Sequence, residues 1–133
     1  MTQENEDLVR EAVEAYYRAD TARLLELVHP DLEWTYLNPA DADPQPQVCH
    51  GRDQLAWALG HQAGQGLASQ VEEVISAPGG QVVVVARTPG ADQQRAWHNG
   101  DRNILVLTVR SGQIVAMRAF RDQAQASRFA GLS

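Results

Sequence analysis

The chain contains no lysine: all 11 of its basic residues are arginine, against 17 acidic ones, for a formal net charge of −6. The arginines are scattered along the sequence, so the clustered positive charge that holds a phosphate backbone is missing, and nucleic acid is excluded as a partner. A single cysteine, Cys49, rules out an intramolecular disulfide, and nothing in the sequence asks for an oxidising compartment. No apolar run approaches the ~20 residues of a membrane span. The first residues, Met1-Thr-Gln-Glu-Asn-Glu-Asp7, are acidic where a secretory signal is basic and then apolar. A cytoplasmic protein without membrane contact is expected.

What is present fits one compact domain spanning residues 1–133. With 44% hydrophobic residues, a chain of this size buries roughly two-thirds of its unfolded surface. Leu8, Val9, Ala12, Val13, Tyr16 and Tyr17 fall at helical spacing and predict a first helix ending near Ala19. Asp20 suits the N-cap of a second helix carrying Leu24, Leu25, Leu27 and Val28, closed by His29-Pro30. Leu32 to Leu37 alternates as a strand with Leu32, Trp34 and Tyr36 on one face. Three prolines between Asn38 and His50 predict an irregular surface loop or lid. Gly51-Arg52-Asp53 opens a third helix bearing Leu55, Trp57, Ala58 and Leu59, which Gly64 and Gly66 terminate.

Gln70 to Ala77 reads as a half-exposed strand, followed by a turn at Pro78-Gly79-Gly80. The four consecutive valines between Gln81 and Arg87 mark a strand that is buried on both faces or covered by a partner subunit. Ile104 to Arg110 and Gln113 to Phe120 form a β-hairpin about Ser111-Gly112. Asp122, with Gln125 three residues on, has capping-box form for a last helix ending near Phe129. The predicted order is α-α-β-α-β-β-β-β-α, an α+β domain with helices packed on a curved, mainly antiparallel sheet.

The terminal hairpin, the N-terminal helix pair, the Gly51-Arg52-Asp53 helix start and the frames Pro30-Asp31, His50-Gly51-Arg52 and Gly112-Gln113-Ile114 together resemble the SnoaL-like branch of the nuclear-transport-factor-two-like superfamily. The resemblance implies a cone-shaped α+β barrel whose interior is a small-molecule pocket. It does not imply one reaction, because the scaffold carries isomerases, cyclases, dehydratases, hydrolases and non-catalytic modules. Carried over residue by residue, the ketosteroid-isomerase tyrosine falls at Ala12, the carboxylate base near Tyr36 and the protonated acid near Leu105. None of those three groups stands there. The acidic cluster of limonene-epoxide-hydrolase-like members falls near Ala86, Thr88 and Ala119, again without a carboxylate, although Tyr36-x-Asn38 has the spacing of their water-orienting pair.

The same mapping turns Tyr16, Trp34, Asn103, Leu105, Met117, Ala119 and Arg121 into the expected pocket, with Asp122, Tyr36 and His98 as acid/base candidates. Each has a bland alternative. Tyr16 and Trp34 suit plain core packing, Asp122 suits helix capping, and His98 in Trp97-His98-Asn99-Gly100-Asp101 suits a solvated turn. Arg121 directed inward would favour a carboxylate or enolate ligand. His29, His50, His61 and His98 match no metal-ligand spacing, and no cofactor is expected. Cys49 has no activating neighbour and reads as a bystander. The resemblance also implies a homodimer through an open sheet face, for which Val82 to Val85 offers a surface.

The expected function is therefore binding of a small, largely apolar molecule with one or two oxygen functions. Proton-transfer chemistry on a carbonyl compound, by isomerisation, cyclisation or dehydration, suits the scaffold. The competing class is a non-catalytic binding or interaction module that lacks the family's carboxylates.

Overall fold

The computed structural model describes residues 2–18, 20–36, 47–62, 70–87, 102–120 and 123–131. Among them are helices α1 (Thr2–Tyr17), α2 (Thr21–Leu27), α3 (Gly51–Gln62) and α4 (Gln123–Ala130). Six strands, β1 (Val28–Tyr36), β2 (Gln47–His50), β3 (Gln70–Ala77), β4 (Gln81–Arg87), β5 (Arg102–Arg110) and β6 (Gln113–Phe120), make one sheet in the order β2-β1-β6-β5-β4-β3. Only β1 and β6 pair in parallel; every other pair is antiparallel. This is the α+β architecture that the sequence predicts, with one strand more.

The extra strand is β2. The tail of the proline-rich stretch, Gln47-Val-Cys-His50, pairs antiparallel with β1, setting Cys49 opposite Trp34 and Val48 opposite Thr35. The expected loop of residues 38–50 is thus corrected at its end, while residues 37–46 lie outside the described set. Gln47 to His50 contains no proline, and its alternation buries Cys49 while Val48 and His50 stay exposed. A second correction concerns Pro30, which does not close a helix. α2 ends at Leu27 and the chain extends at once into β1. Pro30 is accommodated because the β1–β6 register shifts between Val28 and Glu33, an irregularity that needs no ladder donor there.

Local chemistry fixes the remaining boundaries. The Asp20 carboxylate accepts from the Arg23 backbone N–H at 3.3 Å, as its expected N-cap role requires. Arg23 also pairs with Glu11 on α1 and with Glu26, bracing the two helices against each other. The Arg52 guanidinium donates from Nε and Nη2 to the Val28 carbonyl at 3.2 and 2.7 Å, tying the start of α3 to the start of β1. The β5–β6 hairpin turns on Ser111 (φ 53°) and Gly112 (φ 76°), the sign pattern of a type I′ turn.

Two apolar layers flank the sheet. On the inner face, α1 lays Val9, Ala12 and Val13 against Val82, Val84, Leu105, Leu107 and Met117. On the outer face, Ala126 and Ala130 of α4 cover Val83, Val85, Ile104 and Val106. The valine run is therefore buried on both faces by this chain's own helices, the first of its two expected readings, and it offers no open surface.

The fold makes two predictions. A Cβ on Gly80 (φ +77°) would lie 2.5 Å from the Val109 carbonyl oxygen, whereas one on Gly79 (φ +74°) meets nothing within 4 Å. Urea unfolding of Gly80→Ala is expected to show a loss of ~2 kcal/mol or more, and of Gly79→Ala a loss of about 1 kcal/mol. Burial also pushes the Cys49 thiol above its ordinary range. The folded protein should therefore react with iodoacetamide about tenfold more slowly than the urea-unfolded chain. The unfolded thiol ionises first as pH rises, so Cys49 subtracts stability above the ordinary thiol range; Cys49→Ala should remove that component from the pH dependence of unfolding.

Candidate functional site

The two ends of the sheet are built differently. At one end β3 and β4 are joined by Pro78–Gly80, and β5 and β6 by Ser111-Gly112. The other end gathers the last residues of β1, β4 and β6 and the first residues of β2, β3 and β5. There Tyr36 pairs with Gln47, and Arg87 pairs with both Gln70 and Arg102. Every long connection leaves from this second end, the mouth of the cone.

Strand alternation sets the inner face. Trp34 lies opposite Met117, Met117 opposite Leu107 and Leu107 opposite Val82, a continuous row across four strands that Cys49 extends onto β2. Nearer the mouth the next row runs Val84, Leu105 and Ala119, and beyond it Ala86 stands opposite Asn103. On two strands side chains become smaller towards the mouth: Val82, Val84, Ala86 along β4 and Met117, Ala119 along β6.

Five of the expected pocket residues meet in this layer. Trp34 (1% exposed), Leu105 and Met117 are buried in one cluster, and Tyr16 and Ala119 pack against it. The Tyr16 and Trp34 rings meet edge to face with centroids 5.3 Å apart, and Tyr17 lies 5.2 Å from Tyr16. Of the remaining candidates, the backbones of Tyr36 and Asn103 sit at the mouth, on β1 and β5, and their side chains lie outside the described set. His98, Arg121 and Asp122 lie outside the described residues altogether.

The inner face is apolar. Among the described residues the buried set holds one polar side chain, Thr35, and its place opposite Val48 and Arg118 is on the outer face. Ala12, Ala86 and Leu105, where catalysts of the resembled families carry a phenol or an acid, are buried apolar residues, and Ala119 is half-buried among them. No group of three or more His, Cys, Asp or Glu that could hold a metal ion occurs among the described residues. No helix there is long and apolar enough to cross a membrane. Cys49 is the inner-face residue that sequence reasoning left aside. The alternation of Gln47-Val-Cys-His50 was its only signal.

This architecture recurs in solved structures. A nuclear-transport-factor-two-like protein of unknown function from Burkholderia pseudomallei superposes with a TM-score of 0.66 at 23% identity, covering 96% of this chain and 97% of that one. A protein described as a SnoaL-like polyketide cyclase from Jannaschia sp. CCS1 gives 0.67 at 23% identity, covering 99% and 94%. One described as a ketosteroid isomerase from Kribbella flavida gives 0.66 at 15% identity, covering 92% and 80%. These likenesses show the fold alone. No curated protein sequence matches the chain. The model of the SnoaL-like domain matches residues 9–117, from the buried face of α1 to the inner row of β6, and the chain belongs to that family.

Proposed function

We propose that the inner face binds a small, largely apolar molecule carrying one or two oxygen functions. Its apolar body would rest on Trp34, Met117, Leu105 and Ala119 and its polar end would face the mouth. The observation that carries this reading is the continuous apolar inner layer, whose side chains shrink from Val82 to Ala86 on β4 and from Met117 to Ala119 on β6: it offers shape and desolvation to an uncharged body. Structural neighbours described as a polyketide cyclase and a ketosteroid isomerase support a ligand of carbonyl character.

Isomerisation, cyclisation or dehydration of such a ligand by proton transfer then falls to groups outside the buried apolar layer. Tyr36, His98 and Asp122 are the acid/base candidates, with Asn103 or Arg121 as the partner of the developing oxyanion. A second reading, a binding module without catalysis, is favoured by Ala12, Ala86, Leu105 and Ala119, since none of them can hold or release a proton.

One pair of measurements tests both. The neutral fluorophore N-phenyl-1-naphthylamine should bind saturably at one site per chain, and Trp34→Phe should weaken it about tenfold with the circular dichroism unchanged. Conversion of cyclohex-3-enone to its conjugated isomer in D2O, followed by proton NMR, reads the chemistry. A catalytic protein accelerates it over buffer, and Tyr36→Phe, His98→Ala or Asp122→Asn lowers the rate by a factor on the order of a hundred or more for the group that transfers the proton. Saturable binding with no acceleration supports the second reading. Absence of saturable binding overturns both.

A further inference from the structure

On the outer face of the sheet α4 packs against β4, β5 and β6, and beside it the outer residues of β1 and β2 reach solvent: Glu33, Val48 and His50 are all exposed. Thr35 is the exception, at 8% exposed. It stands in the middle of a row, opposite Val48 of β2 on one side and opposite Arg118 of β6 on the other. The row alternates with the inner Cys49, Trp34 and Met117, which fixes it to the outer face.

Two groups in this row have unused hydrogen-bonding capacity. Among the described residues the Thr35 hydroxyl meets no donor or acceptor, although burial has taken water from it. Arg118, exposed beside it, makes no ion pair and donates no hydrogen bond among the described residues. Its guanidinium carbon lies 5.6 Å from the ring centroids of both Phe120 and Phe129. Cation–π contact holds the guanidinium in place and uses none of its five N–H donors, which lie at the edge of its plane. The ordering cost of the arginine is thus met before any ligand arrives.

We propose that this row binds a small monocarboxylate with a flat apolar body, at a site separate from the inner face. The Arg118 fork donates to the carboxylate, the Thr35 hydroxyl donates to one of its oxygens, and the body lies against Val48 and Phe129, which are 44% and 48% exposed. The charge around the row selects a single negative charge. Glu33, in the next row, has no ion-pair partner among the described residues, and the chain as a whole carries −6. One guanidinium offsets one charge, so a phosphate ester would bring a second that meets only repulsion. The proposal does not depend on the inner face having a ligand.

Fluorine-19 NMR titration with 4-fluorobenzoate tests it. Binding should saturate at one site per chain, with a dissociation constant on the order of 1 mM. Thr35→Val keeps the side-chain shape without the hydroxyl and should weaken binding about fivefold, and Arg118→Gln about tenfold or more, each with far-UV circular dichroism unchanged. Trp34→Phe should leave the affinity as it is. At about pH 8, 4-fluorophenyl phosphate, then a dianion, should bind more weakly than the benzoate, and Glu33→Gln should narrow the difference. If Arg118→Gln loses its circular dichroism, Arg118→Lys takes its place; it keeps the charge without the fork and should weaken binding severalfold. No saturation below roughly 50 mM, or saturation that survives the Arg118 and Thr35 substitutions, overturns the proposal. Tighter binding of the phosphate overturns the ligand class, and loss of benzoate binding in Trp34→Phe overturns the location.

Discussion

The four valines of β4 cannot be satisfied by a single apolar layer. Strand alternation sends Val82 and Val84 to one face and Val83 and Val85 to the other, and all four are at most 2% exposed. The rest of the architecture follows from covering both sides. The long helix α1, with apolar residues at helical spacing, closes the inner face, and the short α4 presents alanines to the outer one. Alanine at positions 126 and 130 lets α4 approach the sheet closely, so an eight-residue helix can seal four β-branched side chains. A large-to-small change in β4 would therefore open a cavity shared with a helix, and its cost would depend on how far that helix could settle.

The inner layer also gives the cone its direction. α1 lies across the sheet from Glu6, which accepts a 2.6 Å hydrogen bond from the Ser76 hydroxyl of β3, to Tyr16, which meets Trp34 of β1. The tight turns sit at the closed end. At the mouth β4 and β6 carry Ala86 and Ala119, and the backbones of Tyr36 and Asn103 stand at the same end. The proposed function separates binding from chemistry: desolvation by the buried apolar layer, and polarity beyond it. A relative that carries a carboxylate on the inner wall merges the two, which the apolar residues at positions 12, 86, 105 and 119 do not permit here.

Most of this was legible in the sequence wherever one periodicity dominated. α1, the hairpin about Ser111-Gly112, the Asp20 cap and the double-sided β4 all declare themselves through spacing or turn chemistry. β2 did not, because four residues give barely two periods of alternation and prolines precede them. Pro30 misled for a different reason. A proline after a helix usually ends it without continuing into a strand, and the β1–β6 register shift that admits it is a tertiary feature. The outer placement of α4 was also hidden, since alanine signals neither face. For the site, the family resemblance placed Trp34, Leu105, Met117 and Ala119 in one layer, while Cys49 depended on the unrecognised β2. The roles of Asp122, His98 and Arg121 rest on side-chain direction, which no sequence period fixes.

The inner face as the ligand site is the claim on which the functional account stands, and methyl-detected carbon-13 NMR during titration with a neutral apolar naphthalene tests it most directly. The methyls of Met117, Leu105, Ala119 and Ala86 should shift together and saturate together, while those of Val83, Ile104 and Val106 beneath α4 stay in place. Shifts confined to the outer-face methyls, or spread without saturation over exposed Val48, would contradict it.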